Sequence, residues 1–179
     1  GREVPRMPDG ASQGIGEVVG RSPSMMDGYH GRPEKTSDAE WFDDEGRRYI
    51  RTGDVGRFDE DGFLILVDRR KDMIISGGFN IYPSDLEAVL LQHRSVLEAA
   101  VVGAPSSDWG ETPAAFVVLR AGSETGAEAL REWVNAQVGK TQRLSAVRLV
   151  AELPRSVIGK VLKRELRDAW LNDDGEKLR

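Results

Sequence analysis

Residues 67–87 read VDRRKDMIISGGFNIYPSDLE, and this stretch decides how the chain divides. An apolar run ends here at Val67, and the charged segment 68–72 separates it from a strand pattern that starts at about residue 73. Pro83 then precedes Ser84-Asp85-Leu86-Glu87, which has the spacing of a capping box. The stretch therefore predicts a domain boundary at 68–72 and a helix that begins at Ser84.

The segment after this boundary alternates between strand and helix patterns. β-Branched and alanine-rich runs predict buried strands, and apolar residues at steps of three and four predict amphipathic helices. Trp133 falls on the apolar face of one such helix and is expected in the core. The remaining predicted elements are strands at 96–102, 114–119 and 147–153, helices at 125–138 and 161–171, a loop at 105–112 and a turn at 154–159. The order β, α, β, β, α, β, α describes a compact mixed α+β domain.

The segment before the boundary is rich in Gly, Pro, Ser and Asp and carries no helical periodicity. Residues 55–68 predict a hairpin with the turn Asp59-Glu60-Asp61-Gly62 and a buried second strand at 63–67. Residues 10–20, GASQGIGEVVG, have the glycine spacing of a dinucleotide-binding loop, which needs a buried strand before it and an amphipathic helix after it. Neither flanks it, and the chain lacks a Tyr-x-x-x-Lys pair, so a glycine-rich hairpin leading into a strand is expected instead.

Composition narrows the classes of function. The formal net charge is −5, so no broad basic surface for nucleic acid is expected. The absence of cysteine excludes disulfides, thiolate zinc sites and a cysteine nucleophile, and His30 and His93 are too far apart in sequence to suggest a metal site. No apolar run approaches the roughly 20 residues of a membrane span, and the first ten residues are not a secretory signal. The expectation is a cytoplasmic chain that starts midway through a longer protein.

Four segments, taken in order, resemble the adenylate-forming superfamily of acyl-CoA synthetases, luciferases and peptide-synthetase adenylation domains. They are GEVVGRSPSMMDGY at 16–29, YIRTGD at 49–54, VDRRKDMIISGGFNIYPSDLE at 67–87 and PRSVIGKVLKREL at 154–166. Each is weak alone, but together they make the resemblance specific, and it covers essentially the whole chain. It implies an α+β organisation in which residues 1–68 are the β-rich, incomplete end of a large N-terminal domain. Residues 69–179 would form a small, mobile, mixed α/β C-terminal domain with a frayed tail at 172–179.

The resemblance also implies a two-step reaction. A carboxylate attacks the α-phosphate of Mg-ATP to give an acyl-adenylate and pyrophosphate, and the thiol of CoA then attacks the adenylate. The implied small molecules are a carboxylic acid, ATP and CoA, whereas the Mg2+ site and most of the acyl pocket are expected outside this segment. Both steps move negative charge onto oxygen atoms, so they need fixed positive groups and a site shielded from water. A homo-oligomer is left open.

The resemblance assigns roles to individual residues. Lys160 corresponds to the family's catalytic lysine, which holds the acyl carboxylate and the α-phosphate together. From Gly-Lys alone it would be a surface lysine before a basic helix. Asp54 is matched to the aspartate that accepts hydrogen bonds from the ribose hydroxyls, and Arg69 to an arginine that also reaches the nucleotide.

Three further positions would serve the movement of the small domain. Lys71 falls on the hinge about which that domain rotates between an adenylating pose and a thioester-forming pose. Gly77 and Gly78 would line the CoA channel, where the lack of a Cβ lets the backbone approach the thiol arm. A bulge within a strand is the other interpretation of the two glycines, and the two interpretations are compatible.

The sequence therefore predicts the C-terminal part of an ATP-dependent carboxylate–CoA ligase for a fatty or aryl acid, and it predicts that the isolated chain is inactive. Two alternatives stay open. The first is an adenylation domain that loads a carrier-protein thiol. The second is a non-catalytic segment that acts only as a binding module.

Overall fold

The structure, a computed structural model, describes residues 14–172. The backbone divides into two compact units, the first ending at Lys71 and the second beginning at Asp72, with a 3-10 turn at Arg70–Asp72. Each unit has its own β-sheet, and each is described by itself. Residues 173–179 of the predicted frayed tail and residues 10–13 of the glycine-rich segment at 10–20 lie outside the described residues.

The first unit is an antiparallel sheet built around one long strand. Its elements are β1 (Gly16–Gly20), α1 (Pro33–Ala39), β2 (Glu40–Phe42), β3 (Arg48–Phe58) and β4 (Leu64–Arg69). The central strand β3 pairs with β1 along one edge, and β2 and β4 share its other edge. The strand expected from GEVVG is confirmed as β1, and the predicted hairpin at 55–68 is confirmed as β3–β4.

The predicted burial of the second hairpin strand is wrong for these residues. Phe63 is 70% exposed and Leu66 is 59% exposed. The physical reason is that a strand needs a second layer over its apolar face, and both buried hydrophobic clusters found within residues 14–172 lie in the second unit. An apolar run predicts a strand face that can be buried, but burial also requires other residues that pack on that face.

The second unit confirms the α+β class. Its elements are β5 (Ile74–Ser76), β6 (Phe79–Ile81), α2 (Pro83–Gln92), β7 (Val96–Ser106), β8 (Gly110–Leu119), α3 (Ala127–Asn135), β9 (Ala146–Leu149) and α4 (Lys163–Asn172). A 3-10 turn at Lys140–Gln142 lies between α3 and β9. The strand order is β6-β5-β8-β7, all antiparallel, and β9 joins β8 as a parallel partner. The predicted order is correct except that its first strand is a hairpin of two short strands.

Helices cover both faces of this sheet. Leu86 and Leu90 of α2 and Leu130 and Val134 of α3 join one buried cluster, which includes Val101 of β7. On the opposite face, Leu166 of α4 packs with the neighbours of Val101 in the strand, Ala100 and Val102, and with Phe116 and Leu153. This alternation is what a strand buried on both faces requires, because successive side chains point to opposite sides. Each fully buried large side chain contributes about 1.5–3 kcal/mol.

Element boundaries differ from the predictions by a few residues. Helix α2 begins at Pro83 rather than Ser84, with Tyr82 at the N-cap and no side-chain hydrogen bond to the cap. β7 and β8 pair as far as Ser106 and Gly110, so the predicted loop at 105–112 shrinks to three residues. β9 ends at Leu149, four residues short of the predicted strand end. Trp133 lies where the helical pattern predicts, partly buried against the first cluster, with its ring 4.8 Å from that of His93.

Candidate functional site

Lys160 closes a tight hairpin turn that begins at Ser156. The Ser156 N–H donates to the Lys160 carbonyl at 2.8 Å, and the Gly159 N–H donates to the Ser156 carbonyl at 2.8 Å. The Lys160 N–H donates to Ser156 Oγ at 3.2 Å. Gly159 has a φ of 81°, a left-handed conformation that favours glycine. Gly159 therefore supplies the backbone conformation that the turn requires, and Lys160 carries the charge.

The same turn occurs twice in the first unit, with aspartate where the Lys160 turn has serine. In the turn at 59–63, Asp59 Oδ1 accepts the Phe63 N–H at 2.8 Å. In the turn at 43–47, Asp43 Oδ1 accepts the Arg47 N–H at 2.8 Å. Desolvation raises the pKa of Asp43, but side-chain and backbone hydrogen bonds from Arg47 outweigh it and hold that pKa below its usual value. Asp43 is thus held in its charged form by Arg47, whereas Ser156 is a neutral residue at the same position of its turn.

The tip of the Lys160 turn projects into solvent. Val157 is 106% exposed and Ile158 is 87% exposed, and Lys160 is itself in the exposed class. An exposed ammonium on four methylene groups keeps the freedom to reach an incoming anion. The backbone of the turn is thus held by hydrogen bonds, whereas the Lys160 ammonium at its end is mobile.

Ion pairs fix both ends of this turn to the body of the second unit. Arg155 donates from Nη2 to Glu98 Oε2 of β7 at 2.6 Å and from Nη1 to the Gly159 carbonyl at 2.7 Å. On the other side, Lys163 Nζ lies 2.7 Å from Glu87 Oε1 of α2. The Leu162 N–H and the Pro154 carbonyl close the base at 2.8 Å. The turn is therefore supported by a strand and a helix.

Asp54 and Arg69 are brought together in the first unit. They are direct partners across β3 and β4, and Arg69 Nε donates to Asp54 Oδ1 at 3.0 Å. The Asp54 side chain is 28% exposed and that of Arg69 is 46% exposed, so both remain accessible. Gly53 just before has a φ of 73° and lies where the pairing of β3 with β1 shifts register. Pairing keeps the carboxylate as an acceptor and orients the guanidinium.

An open cleft of about 480 Å³ lies beside this pair. It is lined by Thr52, Gly53, Arg69, Arg70 and Lys71. Three of these five residues are cationic, and two of them are paired with carboxylates, Arg69 with Asp54 and Arg70 with Glu17. Lys71, the predicted hinge, is exposed and is the last residue of the first unit.

Glu17 of β1 holds part of the cleft wall in place. Its Oε2 accepts hydrogen bonds from Arg51 Nη1 at 2.8 Å and from Arg70 Nη1 at 2.9 Å. The Glu17 side chain is 16% exposed and that of Arg70 is 59% exposed. The strand that begins at Gly16 thus supplies a counter-charge that orients Arg70.

Gly77 and Gly78 form the two-residue turn between β5 and β6 rather than a bulge. Their φ angles are 55° and 84°, the left-handed pair that a type I′ hairpin requires. The Gly77 N–H donates to the Trp109 carbonyl at 2.9 Å. A Cβ on Gly77 would lie 2.6 Å from Trp109 Cε3, so no larger residue fits without movement of the indole. The close approach is thus made to an exposed aromatic ring of the same unit.

Sequence reasoning missed the residues that support Lys160. Glu98 lies 57 positions before Arg155, and nothing in the local pattern links them. Ser156, by contrast, could have been found, because it stands three residues before a glycine, as Asp43 and Asp59 do. That shared spacing is the readable signal for the turn.

The described residues do not fit a resident metal site. Within residues 14–172, no three His, Asp or Glu side chains are grouped so that they could hold a metal ion. In the same part of the chain, every helix is too short or too polar to cross a membrane.

The chain is similar in sequence to several known proteins. A profile of the AMP-binding enzyme C-terminal domain matches residues 85–160. A 2-succinylbenzoate–CoA ligase from Geobacillus kaustophilus is 44% identical over 85% of this chain and 30% of that protein. A fatty acid–[acyl-carrier-protein] ligase, ScoC from Streptomyces coeruleorubidus, is 40% identical over 99% of this chain and 32% of that protein.

A solved structure supports the same assignment. The ATP-bound MatB protein of Rhodopseudomonas palustris matches 96% of this chain and 32% of its own, with a TM-score of 0.82 and 34% identity. The chain thus spans about a third of the length of the proteins it matches. It belongs to the adenylate-forming, AMP-binding superfamily and corresponds to the C-terminal portion of those enzymes.

Proposed function

We propose that this chain is the C-terminal part of a carboxylate–CoA ligase that forms an acyl-adenylate from a carboxylic acid and ATP and then a thioester with CoA. The observation that carries the proposal is the exposed Lys160 on a turn fixed at both ends. The names of two relatives, a 2-succinylbenzoate–CoA ligase and a fatty acid ligase, support an aryl or fatty acid as the substrate class.

In this proposal the first unit is the end of a large domain and the second unit is the small domain. Lys71 then serves as the hinge, since the first compact unit ends at that residue. A hinge needs only a few residues whose backbone angles change, and an exposed charged side chain there costs nothing to move through water. Rotation about this point would exchange the Lys160 turn for the Gly77–Gly78 turn at the reacting centre.

Lys160 would act in the first step. An ammonium about 4 Å from a phosphate oxygen gains about 4 kcal/mol at an effective dielectric constant of about 20, which corresponds to roughly a thousandfold in rate if the gain is made only in the transition state. Lys160 can bridge the carboxylate and the α-phosphate as negative charge develops between them. The rigid turn lowers the entropy lost when the ammonium is positioned.

Asp54 and Arg69 would bind the nucleotide. Asp54 Oδ1 is taken by Arg69, which leaves Oδ2 as the acceptor for a ribose hydroxyl. The cationic cleft beside the pair suits phosphate groups. Mg2+ would accompany ATP and balance its charge, and no residue described here is assigned to it.

The second step would use a different turn of the small unit, the one formed by Gly77 and Gly78. Gly78 presents open backbone at the tip of the β5–β6 hairpin, beside Gly77 and the Trp109 ring that packs on it, and a narrow thiol arm would pass close to the chain there. CoA is proposed as the acceptor. The relative named as an acyl-carrier-protein ligase favours a second candidate, a carrier-bound thiol that enters by the same route.

A panel experiment on the complete enzyme that contains this chain tests the proposal. Pyrophosphate release would be measured across aryl and fatty acids, with CoA and with a pantetheinyl carrier protein as alternative acceptors. We expect acid-dependent pyrophosphate release and thioester formation with CoA. Thioester formation with the carrier alone would select the second candidate, and no acid-dependent release with any acid would contradict both.

The 179-residue chain provides a matched control. We expect it to form no acyl-CoA from acid, ATP and CoA, because the acyl pocket is not among its proposed parts. Turnover by the purified chain would contradict the proposed division of the site.

A further inference from the structure

Arg155 holds the peptide unit that precedes the Lys160 side chain. Its Nη1 donates to the Gly159 carbonyl at 2.7 Å, and that carbonyl belongs to the same planar unit as the Lys160 N–H. The Lys160 N–H in turn donates to Ser156 Oγ at 3.2 Å. Both polar ends of one peptide plane are therefore fixed, and the direction in which the Lys160 side chain leaves the backbone follows from that plane.

Glu98 fixes Arg155. Arg155 Nη2 donates to Glu98 Oε2 at 2.6 Å, and Glu98 lies in β7, which pairs along its length with β8. The guanidinium thus connects the turn to β7, a strand of the sheet of the second unit. Arginine suits this role because its planar fork makes two hydrogen bonds in fixed directions, whereas the single ammonium of lysine carries no such geometry.

We propose that Arg155, held by Glu98, is a positioning residue that sets the orientation of Lys160 for acyl-adenylate formation. The inference rests on the function proposed above, in which Lys160 is the catalytic cation. It assigns Arg155 no contact with acid or nucleotide; its effect passes through the Gly159 carbonyl.

A positioning role and a purely structural role of Arg155 predict different effects of its loss on thermal stability and on reaction rate. The Arg155 and Glu98 side chains are 43% and 36% exposed, so the pair is near the surface and adds little to global stability. Loss of Arg155 should lower the Tm by less than about 4 °C. A misplacement of the catalytic group by about 1 Å can nevertheless slow chemistry about a hundredfold. Positioning thus predicts a large kinetic effect beside a small thermal one.

The test uses both half-reactions of the complete enzyme. Arg155→Ala should slow adenylate formation on the order of 10- to 100-fold. It should leave CoA transfer to supplied acyl-adenylate within about 3-fold. Arg155→Lys and Glu98→Gln should fall between wild type and Arg155→Ala. Arg131→Ala, which breaks an exposed Arg–Glu pair on α3, is the matched control and should change neither rate.

A double variant separates positioning from an independent effect. If Arg155 acts through Lys160, then Arg155→Ala should cause less than about a 2-fold further loss when added to Lys160→Ala. The proposal would be overturned if the rate losses of the two single variants multiplied fully in the double variant. It would also be overturned if Arg155→Ala slowed both half-reactions equally, or if the adenylation rate of Arg155→Ala stayed within about 2-fold of wild type.

A measurement on the 179-residue chain keeps this inference separable from the proposed function. Arg155→Ala should lower the amide order parameters of Gly159 and Lys160 from about 0.85 towards 0.6, and Arg131→Ala should leave them unchanged. Unchanged values in Arg155→Ala would overturn the inference alone. If instead Lys160→Ala does not slow adenylate formation, the proposed function fails, whatever the order parameters show.

Discussion

At the scale of single residues, the charges of the proposed site include two ion pairs. Asp54 is paired with Arg69 across two strands, and Arg155 is paired with Glu98. Surface pairs of this kind are worth at most about 1 kcal/mol of stability, so their value lies in the direction they give to the groups. These residues therefore contribute more by orienting charged groups than by stabilising the fold.

Asp54→Asn provides a test at this scale. The amide keeps the size of the side chain but loses the charge that strengthens a hydrogen bond from a ribose hydroxyl. In the complete enzyme we expect the KM for ATP to rise about 10-fold and the KM for the acid to stay within about 2-fold. Steady-state kinetics with each substrate varied in turn would check this. A KM for ATP equal to that of wild type would remove Asp54 from the nucleotide site.

At the scale of elements, one type of hairpin turn recurs at 43–47, 59–63 and 156–160. The first and the third both end in a cation, but Arg47 is paired with the aspartate that begins its turn, whereas the turn of Lys160 begins with a neutral serine. All three depend on a left-handed glycine, with φ of 74° at Gly46, 84° at Gly62 and 81° at Gly159. They differ in the first side chain, which is aspartate at positions 43 and 59 and serine at position 156.

Ser156→Asp uses this difference as a prediction. Aspartate caps the same turn in the first unit, so the variant should fold and keep its Tm within about 3 °C. A fixed negative charge beside Lys160 should repel the incoming carboxylate and phosphate and should attract the ammonium. We therefore expect adenylate formation to slow about 10-fold or more, with Ser156→Thr as the neutral control. An adenylation rate like that of wild type would show that the neutral cap has no role.

At the scale of the whole molecule, the sequence predicts the fold class because the buried strands are visible as Val- and Ala-rich runs. β7 and β8 and helix α3 are found where their patterns indicate. The pattern of 63–67 could not show whether its apolar side chains are covered, since cover depends on residues elsewhere. Gly77 and Gly78 were readable as a special backbone position, but a bulge and a two-residue hairpin have the same composition.

The candidate site could likewise be predicted only in part from the sequence. The positions of Lys160, Asp54 and Arg69 could be named from local motifs, and their pairing partners could not all be named. Asp54 and Arg69 meet because the hairpin register places them opposite each other. Arg155 and Glu98 meet only because the turn before α4 returns to β7, which is a property of the assembled sheet.

The central claim is that one cation, on a turn carried by the second unit, serves the first half-reaction alone. The most direct measurement is the rate of each half-reaction in the complete enzyme that carries Lys160→Ala. The account predicts that adenylate formation slows on the order of 100-fold or more, while transfer of supplied acyl-adenylate to CoA stays within about 3-fold of wild type. A loss of similar size in both half-reactions, or in neither, would contradict it.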